Sequence, residues 1–141
     1  MRRGFTIIEL SYVLVVIGIL VAVSVPAYDS FARRAKADEA RSMLPAIAHA
    51  ELRHFRDRGG YLPCAAEGPV PRTPVSFPNQ TSCWKALDIQ LTGQVRFRYS
   101  VEVVDGHFFA VAEGDLDGDG VTSLSRWDGR LGAATVEREL E

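Results

Sequence analysis

The distribution of apolar residues divides this chain into two unequal parts. Residues 5–28 are apolar almost throughout, and Glu9 is their only acidic or basic residue. A bilayer is spanned by about 20 mostly apolar helical residues, so this segment is long enough to cross a membrane. Arg2 and Arg3 precede it, which favours a cytoplasmic start, but basic residues also follow the segment and leave the orientation open on charge alone.

Residues 29–58 continue with an amphipathic helical pattern, in which apolar residues form one face and charged residues the other. The apolar positions recur at steps of three and four residues: Ala40, Leu44, Ile47, Ala48, Leu52 and Phe55. The charged face holds Arg41, Glu51, Arg53 and Asp57. We therefore predict one long helix from Phe5 to Asp57 that ends at Gly59-Gly60, weakened or bent at Gly18, Pro26 and Pro45.

Residues 59–141 have the pattern of a globular head with an antiparallel sheet. Five prolines between positions 61 and 83 predict an irregular loop there. Alternating apolar and polar residues from Val95 to Val103 predict a strand, Asp105-Gly106 a hairpin turn, and Phe108–Ala112 the partner strand. A last short strand could come from the C-terminal tail. The fold class is therefore α+β, a long N-terminal helix whose second half packs on a small sheet.

Charge and cysteine content narrow the functional classes. The formal net charge of −2 argues against a general nucleic-acid binder, which usually carries a basic excess. The chain has two cysteines, Cys64 and Cys83, both beyond the apolar segment. A disulfide between them in an oxidising compartment and two free buried thiols are the alternatives, and the proline-rich segment between them favours the disulfide.

The first residues carry the most specific motif in the sequence. They read Arg-Arg-Gly-Phe-Thr-Ile-Ile-Glu-Leu from position 2, a short basic leader followed by Gly4, an aromatic residue, Glu9 and a long apolar segment. This motif closely resembles the cleavage site of type IV prepilins and pseudopilins. Gly18 and Pro26 also fall where pilins commonly carry a helix-weakening glycine and proline. The resemblance covers about the first 35 residues and is only architectural beyond them.

The resemblance implies how the chain is processed, inserted and assembled. A prepilin peptidase would cut between Gly4 and Phe5, remove residues 1–4 as a leader, and methylate the new amine of Phe5. Residues 5–28 would anchor the precursor in the bacterial inner membrane as a single pass with its N-terminus inside, close to an inner-membrane assembly platform. They would later pack against copies of this chain or other pilins, in an extracellular pilus or a periplasmic pseudopilus.

Glu9 has a specific place in this scheme. A carboxylate inside an apolar helix is costly unless it is paired. The resemblance implies that Glu9 of one subunit pairs with the amine of Phe5 of a neighbour, which sets the axial register of the fibre. The alternative is an acid without a special role near the membrane interface.

A second motif lies in the head. Residues 114–120 read Gly-Asp-Leu-Asp-Gly-Asp-Gly, and Asp115, Asp117 and Asp119 match the opening of a D-x-D-x-D-G calcium loop. The twelfth position of that pattern is Arg126 instead of glutamate. A calcium site and a solvated turn rich in aspartate and glycine both remain open.

These observations favour a structural subunit of a type IV pilus, for adhesion or twitching motility, without catalytic activity or a required cofactor. One alternative is a pseudopilin of a type II secretion system, which shares the N-terminal motif. The other is a single-pass membrane protein whose head has a different activity.

Overall fold

The computed structural model describes residues 5–138, so Gly4 and the rest of the predicted leader lie outside the described residues. The chain divides into two compact units, Met1–Arg34 and Ala35–Glu141, called here the N-terminal and C-terminal units. Its elements are α1 Ile7–Arg58, β1 Val75–Ser76, α2 Ser82–Ala86, β2 Gln94–Val95, β3 Arg98–Val104, β4 His107–Gly114, β5 Ser123–Asp128 and β6 Ala133–Arg138. The predicted α+β class, a long N-terminal helix with an antiparallel sheet, is confirmed.

Helix α1 has 52 residues and ends at Arg58, next to the glycine pair that the sequence marks as its end. Gly59 has a φ of +77°, a conformation that favours glycine and stops a helix. Gly18 and Pro26 both lie within α1, so neither of them ends the helix. Whether they weaken it during assembly stays a prediction.

Four strands form one antiparallel sheet in the order β3-β4-β5-β6. The β3–β4 hairpin turns at Asp105 and Gly106, whose φ angles are 50° and 76°. Positive φ at both central residues suits the twist of a tight hairpin, and aspartate followed by glycine tolerates it well. The predicted turn and partner strand are thus confirmed, although β4 is longer than expected.

The single strand predicted from Val95 to Val103 is split in two. β2 pairs with β1 in a separate two-stranded sheet, the chain bends at Arg96 and Phe97, and β3 then enters the main sheet. Glu39 on α1 holds the bend, because its Oε1 accepts hydrogen bonds from the Arg96 backbone N–H (2.8 Å) and the Tyr99 hydroxyl (3.1 Å). Burial still alternates along this stretch, with Val95, Phe97, Tyr99 and Val101 inside.

Two further corrections concern the segments around the main sheet. The segment 61–83 is not wholly irregular: it contains β1, Ser82 begins α2, and Cys64 forms an isolated antiparallel bridge with Val101. The C-terminal part adds two strands, β5 and β6, instead of one. Both extend the sheet that the β3–β4 hairpin begins.

One hydrophobic core lies inside the C-terminal unit, between the second half of α1, the Cys64–Cys83 segment and the sheet. Its largest fully buried side chains include Trp84, Phe108, Leu44 and Ile47. Burying an apolar side chain such as that of Phe108 contributes about 2–3 kcal/mol.

The face of α1 that packs on this core differs from the predicted one at three positions. Leu52 and Phe55, expected on the apolar face, are 41% and 42% exposed. Glu51, expected on the charged face, is fully buried. The buried face is shifted round the helix, and the aromatic ring of Tyr61, between Phe55 and Phe108, fills the adjoining space.

Candidate functional site

The described part of the N-terminal unit consists of the exposed, mostly apolar first half of α1. It contains an 18-residue window with a mean hydropathy of 2.5, none of which is buried. Within the described residues, α1 is the one helix long and apolar enough to cross a membrane. Phe5, Ile7 and Ile8 are each more than 80% exposed. A surface of this kind is stable in water only when lipid or another apolar surface covers it.

Glu9 takes part in a capping box at the start of α1. Its Oε2 accepts hydrogen bonds from the backbone N–H and the hydroxyl of Thr6, both at 2.9 Å. The Thr6 hydroxyl oxygen in turn accepts from the backbone N–H of Glu9 at 3.2 Å. Such reciprocal bonds satisfy N–H groups that the first turn of a helix leaves free. Glu9 therefore has a local role in the single chain besides the pairing that the sequence predicts.

This capping box was not predicted from the sequence, although the sequence contains its pattern. Threonine followed three residues later by glutamate, before an apolar stretch, is the standard pattern of a capping box. Phe5 directly precedes Thr6, and its side chain is 88% exposed. The two residues predicted to set fibre register are thus both accessible: Phe5 lies two residues before α1, and Glu9 lies in its first turn.

The three aspartates of the predicted calcium loop do come together. Each of Asp115, Asp117 and Asp119 offers a carboxylate oxygen, and these atoms lie within 4.8 Å of one another. The three residues differ in burial, since Asp115 lies inside the unit while Asp117 and Asp119 are exposed. Arg126, at the position where the EF-hand pattern has glutamate, instead lies in β5 with its guanidinium carbon 3.8 Å from the centre of the Phe109 ring.

Asp115 is already surrounded by donors of the protein itself. Its two carboxylate oxygens accept from the backbone N–H groups of Gly118 (2.7 Å) and Gly120 (3.1 Å). Arg72 Nε lies 3.4 Å from Oδ2. The Lys36 ammonium donates to the Leu116 carbonyl at 2.6 Å. The loop thus has an internal countercharge and a link to α1 without any ion, while Asp117 and Asp119 could still offer oxygens to one.

Cys64 and Cys83 form the predicted disulfide, with their Cα atoms 5.6 Å apart. Cys64 is fully buried and exchanges two backbone hydrogen bonds with Val101 of β3, at 2.8 and 2.9 Å. Cys83 lies in α2, beside the fully buried Trp84. The bridge therefore fastens both ends of the proline-rich segment to the core.

Glu51 is a buried ionisable residue that sequence reasoning misplaced. Its Oε2 accepts a hydrogen bond from the Leu62 backbone N–H at 2.9 Å, and Oε1 is buried with no hydrogen-bond partner between residues 5 and 138. Burial raises the pKa of the Glu51 carboxyl to about 6, although the Leu62 hydrogen bond opposes the shift. Its spacing of seven from Leu44 and four from Ile47 is the signal that could have placed it on the buried face.

Comparison with known proteins identifies relatives of one kind. The type IV major pilin protein PilA of Myxococcus xanthus is 40% identical over 66 residues, which are 47% of this chain and 30% of that protein. A fimbrial protein of Neisseria meningitidis serogroup B is 31% identical over 106 residues, 75% of this chain and 52% of that protein. The type IV major pilin protein PilE1 of Neisseria gonorrhoeae is 36% identical over 59 residues, 42% of this chain and 36% of that protein.

The chain thus spans between about a third and a half of the length of these relatives. No family model matches it. No solved structure matches it either.

Proposed function

The relatives support a type IV pilin family for this chain, and on that premise we propose that it is a structural subunit of a type IV pilus. The observation that carries the proposal is the wholly exposed apolar surface of the N-terminal unit. Lipid would cover this surface in the bacterial inner membrane, and equivalent helices of neighbouring subunits would cover it in the fibre. A cofactor-dependent or catalytic role has no part in this proposal.

Processing precedes assembly in this scheme. A prepilin peptidase cleaves after Gly4, the new N-terminal Phe5 is methylated, and the segment starting at Phe5 stays in the membrane with its N-terminus on the cytoplasmic side. An inner-membrane assembly platform then moves the subunit into an extracellular fibre that serves adhesion or motility. The exposure of Phe5, two residues before α1, supports this order, since nothing in the described part of the chain shields its side chain from a protease or a neighbour.

Glu9 then changes partner on assembly. In the single chain its carboxylate caps the helix through Thr6. In the fibre, water is excluded, and the charged amine of Phe5 on a neighbouring copy is the group that can neutralise Glu9. Only one axial offset brings the two charges together, so the pair selects register.

The capping box allows the pairing to be tested apart from helix stability. Glu9→Gln keeps an acceptor for Thr6 but removes the charge, whereas Thr6→Val removes the hydroxyl of the box and keeps the charge of Glu9. We expect Glu9→Gln to reduce fibre yield by at least about tenfold, because an unpaired amine remains in the apolar core. Thr6→Val should assemble nearly as wild type. Fibre yield is measured by shearing and sedimentation, with membrane content of the subunit as the reference.

Mass spectrometry of the N-terminus decides the wider proposal in the same preparations. A mature chain that begins with N-methylated Phe5 supports it, in wild type and in both variants. Normal fibres from Glu9→Gln would refute the register pairing alone. An intact Met1 and the absence of any fibre in the native host would refute the pilus subunit itself.

The two alternatives predict other outcomes in that experiment. A secretion pseudopilin would be processed in the same way but would act inside the periplasm, and the relatives named as pilins favour the pilus over it. A membrane-anchored protein of different activity would keep Met1 and form no fibre.

A further inference from the structure

The C-terminal unit has an exposed groove on α1 that its own core leaves uncovered. The groove is lined by His49, Leu52, Arg53, Phe55 and Arg56 and has a volume of about 520 Å³. Leu52 and Phe55 are large apolar side chains with about two-fifths of their surface exposed. We call this set of five residues the α1 groove.

Two cations border the apolar part of the α1 groove. Arg56 has no hydrogen bond or ion pair in the described part of the chain, and Arg53 only reaches the Leu87 carbonyl at 3.5 Å. Neither arginine therefore has a carboxylate within ion-pair distance among the described residues, although Asp57 and Asp88 lie beside Arg53 in the adjoining cavity. A partner that fits must bring an apolar side chain for Leu52 and Phe55 and carboxylates for the two arginines.

The same unit carries a surface of that complementary kind. Asp117, Asp119 and Val121 form the exposed side of the aspartate loop, called here the acidic loop. Within the part of the chain that the structure describes, these carboxylates accept hydrogen bonds only from backbone N–H groups of the loop, at 3.4 Å for Asp117 and 2.7 Å for Asp119. Neither forms an ion pair with any cation among the residues that the structure describes. Val121 beside them is 36% exposed.

The two surfaces lie too far apart to meet in one copy. The Leu116 carbonyl next to the acidic loop accepts a hydrogen bond from Lys36 on α1. Arg56 follows Lys36 by 20 residues on the same helix, which corresponds to about 30 Å at 1.5 Å per residue. The acidic loop is therefore at one end of the helical part of the C-terminal unit and the α1 groove is at the other.

From this complementarity we propose that the α1 groove of one copy binds the acidic loop of a second copy. A contact between two different surfaces leaves one of each free on the pair, so it repeats and builds an open chain of subunits instead of a closed dimer. The inference rests on the proposed function in that the fibre brings the copies together. It adds a specific contact between C-terminal units to the assembly through the N-terminal helix.

Cross-linking tests the contact directly. A zero-length carbodiimide joins a carboxylate to an amine, so Arg56→Lys places an amine in the α1 groove. Full-length chain in detergent micelles is made from a mixture of ¹⁵N-labelled and unlabelled copies, with a calcium chelator present. We expect cross-linked peptides of mixed isotope content that join position 56 to Asp117 or Asp119. Arg130→Lys, exposed in the β5–β6 turn, is the matched control and should give none to these aspartates.

Charge reversal supplies an independent measurement. The pair Arg53→Glu with Arg56→Glu, and the pair Asp117→Lys with Asp119→Lys, should each weaken self-association of full-length chain by about tenfold at low salt. Mixing the two variants should restore it, because the reversed groove then meets a reversed loop. Thermal unfolding of each variant establishes that it is folded.

Three outcomes would overturn the inference. These are mixed cross-links no more abundant than in the control, reversal without any effect, and loss of association that mixing does not restore. A loss confined to the arginine variant would show that the groove binds some other anionic partner. If the reversed variants associate normally while fibres still contain methylated Phe5, only this contact is refuted and the pilus subunit stands.

Discussion

The side chain of Glu51 shows how a single buried carboxylate makes the stability of the fold depend on pH. It is fully buried in the core. One carboxylate oxygen accepts a hydrogen bond from the Leu62 backbone N–H, just after the end of α1. The other oxygen has no hydrogen-bond partner among the described residues, and burial raises the pKa of the Glu51 carboxyl from an ordinary value of 4.5 to about 6. The charged form is therefore the one that this site disfavours.

The direction of the resulting pH dependence follows from linkage. Because the folded-state pKa is above the unfolded one, the folded protein binds more protons between pH 4.5 and 6, and stability falls as the pH rises through this range. We expect the free energy of unfolding to drop by about 2 kcal/mol through this group. Glu51→Gln should remove that slope, as measured by urea unfolding at a series of pH values. The difference between wild type and variant cancels the other titrating groups, and parallel curves for the two proteins would contradict the prediction.

Single residues were predicted from the sequence where their neighbours along the chain decide their role. Gly59 at the helix end and Asp105 with Gly106 in the hairpin follow from local backbone preference, and all three were expected. Glu51 was placed on the wrong face, because a charged residue next to an apolar stripe was assumed to be solvated. Which side of such a stripe is buried depends on the strands and the loop that pack on it, and no local pattern contains that information.

At the level of elements, the acidic segment after β4 is held by its own hydrogen bonds. Asp115 is 3% exposed in its side chain, and its carboxylate organises Gly118, Gly120 and Arg72 around it. An ion at Asp117 and Asp119 would add to this arrangement but is not needed to form it. The calcium hypothesis is therefore tested by asking whether the stability of the loop depends on calcium.

We expect Asp115→Asn to lower the free energy of unfolding by about 1–3 kcal/mol, since one charged oxygen and its pairing with Arg72 are lost. The loss should be equal with calcium and with a chelator, as followed by urea unfolding in both solutions. Asp57→Asn, an exposed change in the last turn of α1, is the control and should change stability little. A loss seen only when calcium is present would instead establish the ion as part of the loop.

The strands show which features of an element can be predicted from the sequence. The alternation from Val95 to Val103 predicted correctly which side chains face the core, but it predicted one strand where the chain changes sheets at Arg96. The bend depends on Glu39, which is 57 residues earlier in the chain and accepts the Arg96 N–H. β5 was missed because its two apolar residues, Leu124 and Trp127, are three positions apart and so lack the period of two that marks a strand.

At the scale of the whole molecule, the buried core and the exposed apolar stretch belong to different units. The buried apolar residues of the core begin at Ala40, while the described large apolar side chains between Phe5 and Phe31 are all exposed. The disulfide, the sheet and the buried part of α1 lie together in the C-terminal unit, Ala35–Glu141. The contacts that stabilise this unit therefore lie within it, and the exposed apolar surface for which we propose lipid or a fibre as the cover belongs to the N-terminal unit.

A chain shortened to Ala35–Glu141 should fold without detergent. We expect cooperative thermal unfolding by circular dichroism, a midpoint within about 4 °C of the same transition in detergent-solubilised full chain, and near-ultraviolet signals from the buried Trp84. The cut keeps Lys36 and Glu39, whose side chains bond the Leu116 carbonyl and the Arg96 N–H, and the fully buried residues of the core begin only at Ala40. The same shortened chain with Cys64→Ser and Cys83→Ser is the control and should unfold at a lower temperature, since the loop between the cysteines is then free in the unfolded state. Gradual unfolding of the shortened chain, or its precipitation without detergent, would show that the apolar helix contributes to folding of the C-terminal unit.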